Sequence, residues 1–198
     1  MKGGARHYVV VFDLEFTAWP GSMASRWTRP GEHTEVVQIG AVKLDAETLK
    51  ITDEFECLVR PRVNPVLSQY LTELTGITNA MLGERGLDFI TAYRAFLDFV
   101  GLSPTWAFGR DDLIFADNLK LYAWDALPVP PYSNAIPWFA EHGVDLKGKH
   151  ACDVAEAAGT VFVGRKHDAL ADARGVAAGI RTVVERGAAN PFARVEKP

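Results

Sequence analysis

An apolar run, Tyr8-Val9-Val10-Val11-Phe12, stops abruptly at two carboxylates spaced two residues apart, Asp13 and Glu15. The run reads as a buried β-strand. Residues i and i+2 of a strand point to the same face, roughly 7 Å apart, so Asp13 and Glu15 are predicted to stand side by side above the strand's end. At an effective dielectric of about 20, two negative charges at that distance repel by about 2 kcal/mol, and desolvation adds to the cost. Divalent cations would relieve it. A strand running out into a solvated loop would also account for a lone Asp-x-Glu, so the rest of the chain has to decide.

The chain has 198 residues, 48% of them hydrophobic, which is enough for one domain with a sizeable core. Residues 1–187 are predicted to form that domain, and residues 188–198 a flexible tail. No apolar run approaches the ~18 to 20 residues of a membrane span. The segment Met1–Arg6 leads into a run too short for a signal-peptide core, so a cytoplasmic location is expected. Cys57 and Cys152 fit no Cys-x-x-Cys pattern, and the histidines show no ligand spacing with them. Two reduced, buried thiols are expected rather than a disulfide or a zinc site. The formal charge of -4 argues against a broad electrostatic platform for duplex nucleic acid. Any polyanionic substrate would have to be held locally.

After the first strand, a long connection over residues 16–34 leads to a strand-like stretch over 35–44 and a third strand near 54–59, which suggests an antiparallel meander. Phe89, Ile90, Tyr93, Phe96, Leu97 and Val100 recur at helical spacing. A short strand over 105–108 ends at Gly109. The last helix, predicted over 168–186, carries Leu170, Ala173, Val176, Ala177, Ile180, Val183 and Val184 on one stripe, with Gly187 able to stop it. The segment Gly143 to His150 has the glycine spacing of a P-loop. It lacks the Ser/Thr for Mg²⁺ and does not follow a strand, so nucleotide triphosphate binding there is not expected.

Further acids and a histidine fall at the ends of these elements. Asp111 and Asp112 follow the short strand, and His167 and Asp172 flank the start of the last helix. Five residues of continuous helix turn through about 500°, so His167 and Asp172 could not share a helix face. They can converge if His167 lies in the turn before the helix, with Asp168 as N-cap.

Asp13-x-Glu15, Gly109-x-x-Asp112 and His167-x-Ala-x-x-Asp172-Ala resemble, in order, the three motifs of the DEDDh 3′-to-5′ exonucleases. That family includes RNase T, polymerase proofreading subunits and the ERI-type exoribonucleases. Val59-Arg60-Pro61-Arg62-Val63-Asn64-Pro65 and Leu71-Thr72-Glu73-Leu74-Thr75-Gly76-Ile77-Thr78 look most like the ERI-type branch. The resemblance implies an α/β, RNase H-like fold, a five-stranded mixed sheet whose first three strands are antiparallel, flanked by helices. It also implies a metal-dependent hydrolase that shortens single-stranded RNA or DNA from the 3′ end, RNA favoured, and releases 5′-mononucleotides. Two Mg²⁺ or Mn²⁺ ions would be held by Asp13, Glu15, Asp112 and Asp172, with His167 as general base.

Relatives usually carry a single aspartate where this chain has Asp111-Asp112, so either could be the third ligand. Counting from Gly109 favours Asp112, with Asp111 as a first-turn acid stabilised by the helix dipole. By the same analogy, main-chain groups of Phe16 and Thr17 border the terminal sugar, and Leu74 and Ile77 pack against the terminal bases; ordinary core is the competing role for the last two. Trp19, Arg26, Trp27 and Arg29 in the long connection are candidates for gripping bases and phosphates. Its tryptophans could instead fold back to anchor the loop. A DNA-trimming enzyme, or a binding module on the same fold, is the competing functional reading, and retention of all four acids and the histidine weighs against the module.

Overall fold

The structure is a computed structural model that describes residues 7–193. The predicted first strand is β1 (Tyr8–Phe16), the centre of a sheet ordered β3-β2-β1-β4-β5. It pairs antiparallel with β2 (Val36–Asp45), which pairs antiparallel with β3 (Ile51–Leu58). On its other side it pairs parallel with β4 (Thr105–Ala107), and β4 pairs parallel with β5 (Tyr132–Asn134). β5 follows the proline-rich loop and carries no period-2 apolar pattern that could have announced it. The outer strand β3 is largely exposed and carries Asp53, Glu54 and Glu56, charges that discourage further pairing at a sheet edge.

Helices cover both faces. In chain order they are α1 (Ser22–Ser25), α2 (Gln69–Thr75), α3 (Asn79–Arg85), α4 (Phe89–Val100), α5 (Asp111–Leu121), α6 (Ala135–Glu141), α7 (Val154–Ala157) and α8 (Ala169–Glu185). The even residues of β1, Val10, Phe12 and Leu14, pack with Phe89, Tyr93, Phe96 and Phe115 of α4 and α5. The odd residues Val9 and Val11 pack with Leu170, Val176 and Ile180 of α8 and Phe139 of α6. Asp13 and Glu15 therefore continue an apolar row that lies under α8. That is the strand alternation the sequence implies, now with its orientation fixed.

α8 reaches the sheet because of two residues of β2 that sequence reading did not single out. Gly40 pairs with Asp13 in the β1–β2 register. A Cβ there would lie 2.1 Å from the amide nitrogen of Leu170, so only glycine admits the helix start at this depth. Two residues away, Gln38 accepts a 3.0 Å hydrogen bond from the Ala169 N–H and donates to Asp168 at 3.2 Å.

A third small cluster joins Val37 and Leu58 to Leu67, Leu71, Ile77 and Leu82, packing α2 and α3 against the sheet's edge. Beside it, fully buried Glu35 accepts hydrogen bonds from the main-chain N–H groups of Arg62 and Val63 at 2.7 and 2.8 Å. This acid is spent on holding the 61–64 turn. Among the described residues no helix is long and apolar enough to cross a membrane.

The flexible tail expected from residue 188 needs correction as far as 193. Phe192 is 7% exposed and meets Trp106 edge-on at 4.9 Å, and Asn190 donates to the Ala46 carbonyl at 2.8 Å. An apolar ring that finds a gap beside β4 outweighs the cost of ordering a few residues. Residues 194–198, and the Met1–Arg6 segment weighed as a leader, lie outside the described residues.

Candidate active site

Above the C-terminal end of β1 lies a cleft of roughly 700 Å³. Asp13, Glu15, Asp111, Asp172 and His167 all line it, as do Phe16, Trp19, Trp27 and Leu74. Three constraints place the four acids: the strand's alternation sets Asp13 and Glu15, the first turn of α8 sets Asp172, and the start of α5 sets Asp111.

The acids are buried, with Asp172 only 2% exposed. Oxygens of Asp13, Glu15 and Asp172 lie within 4.8 Å of one another. Burial first, then the charges of Asp111 and Glu15, raise the Asp13 carboxyl well above its usual range. Glu15 is raised by burial, then by Asp172 and Asp111. Asp111 is raised by burial and by Asp112, and Asp172 is pushed up to about 7, again chiefly by burial. Asp111 Oδ2 and Asp172 Oδ1 are buried without a hydrogen-bond partner. Buried acceptors are normally satisfied, so this oxygen-rich cluster fits hard divalent cations.

Asp112, favoured on spacing, is not in this group. Its carboxylate is turned away into a two-pronged bond with Arg110, 2.8 Å on each oxygen, and that guanidinium holds it below its usual range. The reason is helical phase. Asp111, Phe115 and Asn118 recur at i, i+4 and i+7 and are all buried, so they form the inward stripe of α5; Asp112 lies about 100° around the helix. Asn118 fixes that phase by accepting from the Val36 N–H at 3.0 Å and donating to the Thr34 carbonyl at 2.6 Å. The Asp111-x-x-x-Phe115 spacing was the available signal.

His167 lies in the turn before α8, as the geometry requires, and Asp168 is the N-cap, accepting from the Ala171 N–H at 2.9 Å. His167 adopts φ +60°, a left-handed conformation uncommon outside glycine. The two residues before it anchor the turn on separate parts of the fold. Lys166 bridges Asp153 and Glu156, 2.9 Å to each, and Arg165 donates to the Glu73 and Leu74 carbonyls. Burial and the nearby charge of His150 lower the His167 imidazole below its ordinary value, so the ring is neutral at pH 7.

The substrate-binding candidates separate. Leu74 and Phe16 line the cleft, whereas Ile77 is 3% exposed in the α2–α3 core. Thr17 is also withdrawn: its N–H donates to the Glu35 carbonyl at 2.8 Å, and its own carbonyl accepts from Trp27 Nε1 at 2.8 Å. That bond and a 5.4 Å ring contact with Phe16 make Trp27 an anchor for the loop while it still forms part of the wall. Arg29 is used inside the loop, on the Pro20 carbonyl at 2.9 Å and Glu32 at 2.6 Å. Arg26 is exposed beside a neighbouring groove with Asp117 and Lys120. Of the four loop candidates, Trp19 is the one left unanchored by its ring in the cleft wall. The cations on the rim are Arg110 and Lys149, and Lys149 comes from the segment that fails as a P-loop.

Comparison with known proteins agrees with this architecture. Over 80 residues the chain is 35% identical to human ERI1 exoribonuclease 2, covering 39% of this chain and 10% of that one. It is 32% identical over 93 residues to the Drosophila melanogaster 3'-5' exonuclease Snipper, covering 47% of this chain and 31% of that one. The chain thus spans well under half the length of these relatives. Among solved structures, the nuclease domain of 3'hExo, a DEDDh family member bound to rAMP, superposes with a TM-score of 0.75 at 23% identity, covering 93% of this chain and 94% of that one. Its fold is the RNase H-like fold expected from the resemblance. The RNase T exonuclease profile matches residues 10–178, from β1 into α8, and the chain belongs to that exonuclease family, whose members depend on divalent metal.

Proposed function

We propose that this chain is a 3′-to-5′ exonuclease that hydrolyses the terminal phosphodiester of single-stranded RNA, with DNA as a poorer substrate. The observation that carries this reading is the set of four buried acids, two with unpartnered oxygens, facing one cleft with a neutral histidine. The similarity to an exoribonuclease and to a nuclease domain bound to rAMP supports RNA.

Asp13, Glu15, Asp111 and Asp172 would hold two Mg²⁺ or Mn²⁺ ions. Bound there, such a pair supplies the positive charge that activates water and stabilises the oxyanions of an in-line displacement. His167 accepts the proton of the attacking water as the new P–O bond forms. The bond from phosphorus to the O3′ of the penultimate nucleotide breaks, that oxygen takes a proton from solvent to become the new 3′-hydroxyl, and a nucleoside 5′-monophosphate leaves. The walls formed by Phe16, Trp19 and Leu74 exclude water and give the terminal bases apolar surfaces on which to stack. Stacking is tolerant of sequence, so weak base preference is expected. Arg110 and Lys149 on the rim give a chain of net charge -4 a local grip on phosphate.

The test is digestion of matched 5′-labelled RNA and DNA oligomers with Mg²⁺. A progressively shortening ladder, faster for RNA and halted by a blocked 3′ end, is expected. Cleavage of a circular single strand would refute the direction, and faster DNA cleavage the substrate.

A further inference from the structure

Sequence spacing gave no reason to join either cysteine to a histidine, but the fold does. Cys152 lies in the turn at Ala151–Asp153 that leads into α7. Its Sγ, a ring nitrogen of His167 and an oxygen of Asp172 lie within 4.8 Å of one another. Cys152 is 2% exposed, yet unlike its neighbours Ala151 and Val154 it belongs to none of the apolar clusters. Its thiol is buried against the polar floor of the cleft. Asp172 Oδ1, equally buried, has no hydrogen-bond partner.

We propose that Cys152, His167 and Asp172 form a second cation site, for Zn²⁺ or a similarly thiophilic ion, and that filling it switches the nuclease off. Thiolate and imidazole select zinc over the hard cations that suit an all-carboxylate site. Zn–S and Zn–N bonds of about 2.3 and 2.1 Å set tetrahedral ligands roughly 3.5 Å apart, so side-chain rotation of about 1 Å closes the triangle. The fourth position opens to the cleft, which His167 and Asp172 both line.

Without a cation the thiol stays protonated, pushed up to about 12 chiefly by burial and then by Asp172. Binding expels that proton to solvent as the metal–sulfur bond forms. The ion would then occupy the His167 lone pair needed for the attacking water and draw Asp172 away from Asp13 and Glu15. The inhibitory half rests on the exonuclease reading; the binding half does not.

Cobalt(II) is the probe, added to the full chain with Mg²⁺ in excess. One equivalent should bind with a sulfur-to-cobalt charge-transfer band in the near ultraviolet, displaced by Zn²⁺. The band should vanish in Cys152→Ala and Cys152→Ser and persist in Cys57→Ala. His167→Ala should weaken cobalt binding at least tenfold, which keeps the site testable if the Cys152 variants do not fold. In cleavage assays Zn²⁺ should inhibit wild type, and Cys152→Ala should need at least tenfold more Zn²⁺ while keeping its Mg²⁺-supported rate. Absence of the band in folded wild type, its survival in Cys152→Ala, unchanged cobalt affinity in His167→Ala, or identical zinc inhibition of wild type and Cys152→Ala would each overturn the site. If the chain cleaves nothing, the cobalt spectrum still decides the binding.

Discussion

Two helix starts deliver acids to the same cleft, and they do so by different physics. α8 is capped: the Asp168 side chain accepts from the Ala171 N–H, which fixes where the helix begins and therefore where Asp172 points. α5 has no side-chain cap at Arg110. Its phase comes from packing Phe115 against Phe12, rings 5.6 Å apart and stacked, and from Asn118 hydrogen bonds to Thr34 and Val36 at the entry to β2. A capped helix thus declares its phase locally, while an uncapped one takes it from distant partners.

The sharpest way to break this comparison is to exchange the charges at both starts. Asp172→Ala and Asp111→Asn should each lower cleavage by ~10²-fold or more, since each removes a group worth several kcal/mol in positioning transition-state charge. Both should stay folded by circular dichroism, because each deletion relieves repulsion among buried acids. Asp112→Asn should keep most activity; the reverse pattern for Asp111 and Asp112 would overturn the assignment.

His167→Ala should slow cleavage by ~10² to 10⁴-fold with Mg²⁺ binding at the carboxylates little changed. Because burial lowers the His167 imidazole, the wild-type rate should rise with pH through the region below 6.5 and be level by neutrality. A rate still climbing above pH 7 would contradict a neutral base.

Gly40→Ala probes the docking on which α8 depends. Its Cβ would meet main-chain atoms of Ala169 and Leu170, which cannot move independently of the helix, so a loss of about 1 to 3 kcal/mol is expected from chemical denaturation, with activity falling as Asp172 shifts.

Stability should depend on pH in the metal-free protein. Asp13, Glu15, Asp111 and Asp172 all have raised folded values, so the folded state binds more protons than the unfolded one above about pH 4. The Asp172 contribution is full below that pH and is lost as pH rises through about 7, and those of Asp13, Glu15 and Asp111 are lost in the same direction. The melting temperature should therefore fall between pH 5 and pH 7.5. Added Mg²⁺ should recover more of it at the higher pH.

The smallest effects compare the two starts directly. Asp168→Ala removes a cap and should cost about 1 kcal/mol, whereas Arg110→Ala removes an exposed ion pair and should change stability by no more than a few tenths. Equal costs would mean that α5 is set by its first turn after all.

The sequence was most legible where a side chain's direction follows from nearest neighbours. Alternation along β1 put Asp13 and Glu15 on one face, and the three ordered motifs carried the family and its fold. The loop over 16–34 was legible as a functional boundary but not in its details. Whether Trp27 and Arg29 reach outward depends on acceptors such as the Thr17 and Pro20 carbonyls, whose positions are set by the end of β1 and the turn into α1.

By itself, then, the sequence determined the central strand, the acids at its end, the turn that frees His167 from the helix, and the family. Only the tertiary structure decided that Asp111 rather than Asp112 faces the cleft, that Gly40 and Gln38 seat α8, that Phe192 closes the core, and that Cys152 meets His167 and Asp172. Strand alternation and helix capping are written within a few residues and survive in any context. Helical phase without a cap, close backbone approach and the meeting of side chains from distant elements exist only once the elements are packed.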